Sequence, residues 1–338
     1  VTPPTRTPWG GRRIAERYKR ELGLAPVDRA LGESWEVSVE PSFPSRLVRS
    51  DRPLADVIAE APEPWLGPPV AARYGGQTPL LVKLLDSADN LSVQVHPADG
   101  DPALAADESG KPESWIVLDA DPGAGIYLGF RDGVDRARVE ACLADEGPLD
   151  ELLNFVPVAP GDVFVLQAGT AHAIGKGVTL VEPQFVSPGR RGITYRFWDW
   201  NRRYDADGKL DPRGAPRALH VERSLDVTDW SGPRGEAFVE TCRSIVRELD
   251  GGGLQRRRVV DWPWFVAERW SGSGSLDVAR PGTMTALTCV GGSATVRAED
   301  GEVELPCGQS CVVPAAAGAI RIEGRAVDLV ACRSPVTA

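Results

Sequence analysis

Residues Pro79 to Asp101 read PLLVKLLDSADNLSVQVHPADGD, and the second half of this stretch is a strand with two chemically different faces. Alternation with a period of two sets Leu91, Val93 and Val95 on one side and Ser92, Gln94 and His96 on the other. A rigid element therefore presents a row of hydrogen-bonding and metal-ligating side chains. Two later segments carry matching groups, Lys111-Pro112-Glu113-Ser114-Trp115 and Ala168-Gly169-Thr170-Ala171-His172-Ala173-Ile174. A glutamine, a glutamate and two histidines beside three apolar segments suit one divalent ion. The chain has only 3 histidines, His96, His172 and His220, and the first two fall in this set. Neutral imidazoles with a carboxylate and an amide oxygen suit zinc or a neighbouring first-row ion, and the lack of thiolates argues against a closed structural zinc site. The expectation is an open, water-bearing metal centre.

Working outward, short β-branched and aromatic runs alternate with Gly, Pro and Asp turns, the pattern of an antiparallel sandwich or barrel. Helical spacing is confined to a few stretches, such as the region before Leu22 and the set Leu149, Leu152, Leu153 and Val156. Gly161 to Gly169 aligns with Gly308 to Ala316 at a constant offset that sets His172 against Ala319, so this echo has lost the ligand. The 338 residues, 42% of them hydrophobic, suffice for about two domains. A metal-binding domain over 1–235 and a metal-free, jelly-roll-like module over 236–338 are expected, with His220 near the junction and outside the metal site.

These residues resemble the type I mannose-6-phosphate isomerase family of metal-dependent cupins. Trp9-Gly10-Gly11, Gly32-Glu33-Ser34-Trp35-Glu36-Val37-Ser38, Leu91 to Asp99, Gly110-Lys111-Pro112-Glu113 and Gly169 to Gly175 match its motifs in order. Thr194-Tyr195-Arg196 with Asp199, and Pro216-Arg217-Ala218-Leu219-His220, continue the match. The resemblance implies a mainly β fold, a cupin jelly-roll barrel with added helices followed by a degenerate cupin-like module. It implies interconversion of mannose 6-phosphate and fructose 6-phosphate, with Gln94, His96, Glu113 and His172 holding one Zn²⁺ per chain; other divalent ions are compatible with the donor set.

Such an isomerisation removes a proton beside a carbonyl, passes through an enediol or enediolate and returns the proton to the adjacent carbon. A metal ion polarises the sugar oxygens or supplies hydroxide, and a fixed guanidinium adds oxyanion stabilisation. Arg196 is the residue chosen for that role; alternation would send Thr194, Arg196, Trp198 and Trp200 to one face. For the base, Glu182 on the apolar strand Val178-Thr179-Leu180-Val181-Glu182 is preferred, with Lys111 as rival and a metal-bound water as third candidate. Lys111 is otherwise assigned to phosphate or hydroxyl binding, together with Ser92 and Arg202. Arg202 replaces a lysine that some family members carry, and Gln184 to Ile193 replaces and lengthens a short family turn.

The net charge of −10 disfavours nucleic acid and anionic membranes as partners, whereas Lys176, Arg190, Arg191, Arg196, Arg202 and Arg203 crowd one region and suit a small sugar phosphate. No P-loop or dinucleotide fingerprint is present. The first residues lack a signal-peptide core and no apolar run is long enough to span a membrane, so a cytoplasmic protein is expected, of undetermined oligomeric state. The 6 cysteines lack regular spacing and read as reduced thiols. A metal-dependent cupin oxygenase and a non-catalytic sugar-phosphate binder are the alternatives to the isomerase.

Overall fold

The computed structural model describes residues 9–20, 30–205, 210–279 and 282–335. Two five-stranded antiparallel sheets face each other across the core of the first two-thirds of the chain. One has the order Glu33–Val37, Leu80–Asp86, Val178–Phe185, Glu113–Ala120, Val163–Leu166. The other has the order Tyr195–Trp198, Val93–Val95, His172–Ile174, Gly125–Phe130, Leu153–Pro157. This is the expected jelly-roll barrel. Between the sheets Leu85, Trp115, Val117, Ile126, Leu128, Leu166, Ile174 and Leu180 form one apolar core.

Alternation decides what reaches the barrel interior. In Leu80–Asp86 every residue is buried, because Val82 and Leu84 face an outer core while Lys83 and Leu85 point between the sheets. The strand Val178–Phe185 is buried throughout as well, with Val181 and Phe185 outside and Leu180 and Glu182 inside. Reading alternation across the whole of Leu91 to His96 overreached. The strand spans only Val93–Val95, and Leu91 joins the inter-sheet core while Val93 and Val95 pack on the opposite side with Phe197 and Leu225. The Arg196 face is likewise interrupted. A register shift between Arg196 and Trp198 turns Trp198 into the Val93 cluster, and Trp200 lies beyond the strand at φ +58°.

Helical spacing at Leu149 to Val156 is split in the structure: Leu149–Leu152 is a 3-10 turn, and Leu153–Pro157 is a strand. Before Leu22, itself outside the described residues, Ile14–Tyr18 forms a single π-type turn. Three short helices, Leu54–Glu60, Pro62–Leu66 and Pro68–Arg73, had no sequence expectation. Prolines at the first positions of the latter two start new helices rather than continuing one. No helix is long and apolar enough to cross a membrane among the described residues, and all six cysteines are free.

A seven-stranded antiparallel sheet follows, built on the long strands Val266–Val278, Thr285–Ala298 and Ile320–Arg333. Its own core holds Leu276, Leu287, Leu305, Ile322 and Leu329. Another set, Val260, Phe265, Met284 and Val330, packs on Val82, Leu84 and Val181 of the first sheet and on Leu54, Ile58 and Leu66 of the helices. The sequence echo has a structural counterpart, since Val163–Leu166 and Ser310–Val313 are both strands and Ala319 precedes the strand Ile320–Arg333 just where His172 opens its own. The helix Gly235–Cys242 straddles position 236 and packs Val239 and Cys242 into the inter-sheet core of the barrel.

Where the parts meet, the fully buried Lys19 lies 2.6 Å from Oε1 of Glu36 and donates to the Gly308 carbonyl at 2.5 Å. Ser310 donates to the other Glu36 oxygen at 2.8 Å. Gly308, at φ +85°, abuts the Tyr18 carbonyl so closely that a Cβ would stand 1.4 Å from it. Lys19→Met strands the Glu36 carboxylate in this joint and is expected to lower unfolding stability by about 3–5 kcal/mol. Urea denaturation measures it, and an unshifted midpoint refutes the role of the pair.

Candidate metal centre and active site

His172 opens a strand in the middle of the second sheet and lies directly opposite Gln94, which on its other side lies opposite Arg196. The three make a row across neighbouring strands, and all three line one cavity of about 270 Å³ at the polar end of the barrel. From the facing sheet, Lys83, Glu113, Trp115 and Glu182 line the same cavity, with Lys111 from the segment just before the strand Glu113–Ala120. Its volume lies at the small end for ligand pockets, which suits one compact polar molecule rather than a polymer.

Donor atoms of His96, Glu113 and His172, all buried, lie within 4.8 Å of one another. Nε2 of His96 stands 3.2 Å from Oε2 of Glu113, and Nε2 of His172 stands 3.3 Å from Oε1. Both imidazoles turn Nδ1 to a backbone carbonyl, His96 to Ile193 at 3.0 Å and His172 to Thr170 at 2.8 Å. A carbonyl only accepts, so the proton of each neutral ring resides on Nδ1 and the Nε2 lone pair faces the carboxylate. Burial, then the Lys111 charge, holds the His96 imidazole down at about 3, so it stays neutral. Nε2 of His96 has no hydrogen-bond partner among the described residues. Lone pairs converging this closely repel unless a cation lies among them. The donor set therefore fits a divalent metal, with Gln94 beside His172 to complete it.

Gly169 ties the ligand loops together. Its N–H donates to the His96 carbonyl at 2.9 Å, its φ is +80°, and a Cβ would come within 2.9 Å of the Asp229 nitrogen.

Electrostatics divide the two carboxylates. Burial alone would raise both. At Glu113 the Lys111 ammonium, 3.4 Å away, and then the imidazoles outweigh burial and hold the carboxyl well below its usual range. At Glu182 burial and the neighbouring Glu113 charge win over Lys83 and Lys111, pushing it up to about 7. Glu182 accepts from Trp115 Nε1 at 3.0 Å. Lys83 lies 3.5 Å from Glu33 and over the Trp35 ring; Glu33, Glu182 and Glu113 together raise its pKa despite burial.

Arg196 donates to Ser92 Oγ at 3.1 Å and to the Ala218 carbonyl at 2.9 Å, with no carboxylate at ion-pair distance among the described residues. Its pKa is lowered by burial and then by Arg217. Arg202 is placed elsewhere. It does not line this cavity; Asp199, at 2.5 Å, and Asp89, at 3.0 Å, occupy its guanidinium. Besides Arg196, Arg217 lines it, anchored on Asp199 at 2.6 and 2.7 Å. Of the basic cluster seen in the sequence, only Arg196 reaches the cavity: Arg191 pairs with Asp107 and Glu108 at the surface, Arg190 and Arg203 meet backbone carbonyls, and Lys176 is exposed. His220 accepts from the Arg196 backbone N–H at 3.1 Å, outside the ligand set.

Sequence reading missed Lys83, Arg217 and Gln184. Lys83 interrupts an otherwise apolar run, which was the available signal. Gln184 sits at the start of the lengthened segment but belongs to the strand, opposite Glu113; the rest of that segment braces the site through Ser187, which donates to Asp99 at 2.9 Å, and through the Ile193 carbonyl.

Comparison with known proteins agrees with this geometry. A family model described as phosphomannose isomerase type I, catalytic domain, matches residues 5–120, and one described as mannose-6-phosphate isomerase, cupin domain, matches residues 258–332. The mannose-6-phosphate isomerase of Streptococcus mutans serotype c is 31% identical over 309 residues, covering 90% of this chain and 88% of its own. That of Bacillus subtilis is 32% identical over 260 residues, 76% of this chain and 75% of its own. In fold, a solved mannose 6-phosphate isomerase from Bacillus subtilis superposes with a TM-score of 0.81 at 23% identity, covering 98% of this chain and 97% of that one. A mannose 6-phosphate isomerase solved with zinc and yttrium gives 0.70 at 17% identity, over 99% of this chain and 98% of that one. The chain belongs to the type I mannose-6-phosphate isomerase family.

Proposed function

We propose that this chain interconverts mannose 6-phosphate and fructose 6-phosphate with one zinc ion held by Gln94, His96, Glu113 and His172. The observation that carries the reading is the convergence of three buried ligand groups and a buried carboxyl, Glu182, on one cavity of the barrel. Zinc bound there supplies Lewis-acid polarisation of the sugar's carbonyl and hydroxyl oxygens. Glu182 takes the proton from the carbon beside the carbonyl and returns it to its neighbour, exchanging aldose for ketose through an enediol. Arg196, held by Ser92 and with no carboxylate at ion-pair distance among the described residues, lies against the negative charge that develops on oxygen. Lys111 binds a hydroxyl or the phosphate. Arg217, which lines the cavity, takes the phosphate role expected of Arg202, which does not line it. The second module, from after Cys242 by its packing, has a structural role, covering the outer face of the first sheet.

Arg196→Ala is expected to lower kcat by about 10²–10³ with metal still bound; steady-state kinetics with metal analysis checks it, and an unchanged kcat returns Arg196 to a structural role. The function itself is tested by a coupled assay with mannose 6-phosphate before chelation, after chelation and after zinc return. Loss and recovery of turnover support the isomerase. Metal-independent binding without turnover indicates a sugar-phosphate binder, and oxygen uptake in place of isomerisation indicates an oxygenase.

A further inference from the structure

Two residues beyond Glu182, on the same face of the strand, Gln184 is fully buried. Its amide nitrogen donates to Oε2 of Glu113 at 2.8 Å and to Oε2 of Glu182 at 2.7 Å. Both N–H groups of one amide are thus spent on two carboxylates with different tasks, a ligand and a base. The reverse orientation would set the amide oxygen against both, giving two repulsions in place of two hydrogen bonds. The Gln184 carbonyl oxygen itself has no hydrogen-bond partner among the described residues. Burial without satisfying that acceptor is unfavourable, so it is the two donors that justify an amide here. Glu182 is consequently held at both oxygens, by Gln184 and by Trp115 Nε1, and cannot rotate within the cavity.

We infer that Gln184 is a positioning residue that bridges Glu113 and Glu182, setting the orientation of the ligand carboxylate and its distance from the base. The base half of this rests on the isomerase reading; the ligand half does not.

The test uses the full chain with Gln184→Leu, similar in size but without donors. Zinc affinity is read by competition with a chromophoric chelator in the absence of substrate, and kinetics at saturating zinc. Gln184→Leu is expected to bind zinc about 10–100-fold more weakly and to lose kcat by a similar factor with KM little changed. In a Glu182→Gln background it should weaken zinc binding equally but lower kcat no further. A merely structural amide would lower the melting temperature and leave zinc affinity and kcat where they were, which overturns the inference. Should Gln184→Leu not fold, Gln184→Asn decides: it keeps the amide but is one methylene too short to span both carboxylates, and unchanged zinc affinity and kcat refute the bridge. A wild-type chain that binds zinc yet does not turn over mannose 6-phosphate removes the isomerase reading, while the zinc measurement still judges Gln184.

Discussion

Replacing His172 by Ala removes bound metal and turnover together. The imidazole sits in the centre of the second sheet with Nδ1 committed to Thr170 and Nε2 3.3 Å from Glu113, so no other side chain can move in to replace it. Its loss leaves one imidazole and one carboxylate of the buried cluster, and a bound ion would have to make up its coordination with water. Since both the Lewis acid and the neutralising charge for Glu113 leave with the metal, activity should fall to background rather than by a modest factor. Metal analysis of the purified variant beside a coupled assay checks this. A His172→Ala protein that retains stoichiometric zinc, or that turns over without it, defeats the assignment of His172 as a ligand.

Glu182→Gln is expected to keep its zinc and lose about 10²–10⁴ in kcat, the usual contribution of a positioned base. Metal retention separates this variant from His172→Ala. The pH dependence supplies a second check. A base works ionised, and burial, then the Glu113 charge, raises the Glu182 carboxyl to about 7. Activity should therefore fall as pH drops, because protonation removes the base. A dication bound beside Glu182 favours the ionised carboxylate, which places the acid limb of the zinc enzyme at or below 7. In Glu182→Gln that limb should disappear from the residual rate. An identical limb in the variant assigns the proton transfer to another group, Lys111 being the nearest rival.

The candidate ligands could be picked out in the sequence because each lies in a short segment with local character: Gln94 and His96 on alternate positions, Glu113 at the head of an apolar strand, His172 after a glycine turn; the structure gathers His96, Glu113 and His172 into one buried group. The lost ligand of the second module was legible too, since Ala319 precedes a strand as His172 begins one. Leu91 and Trp198 were misplaced because a strict period of two holds only within an unbroken strand, and here the strand is three residues long on one side and shifted in register on the other. Arg202 was assigned to phosphate through the resemblance, at a position where some family members carry a lysine; its pairing with Asp89 and Asp199 depends on how a loop folds back.

By itself the sequence determined the all-antiparallel barrel, the residues able to hold a cation and the chemistry they support, since residue type and alternation are local properties of the chain. Only the tertiary structure decided the assembly of charge: that Arg217 and Lys83 reach the cavity while Arg190, Arg191, Arg202 and Arg203 do not, and that one amide, Gln184, joins Glu113 to Glu182. Those outcomes depend on strand register and on which opposite charge each long side chain meets, and both are set by contacts between segments far apart in the chain.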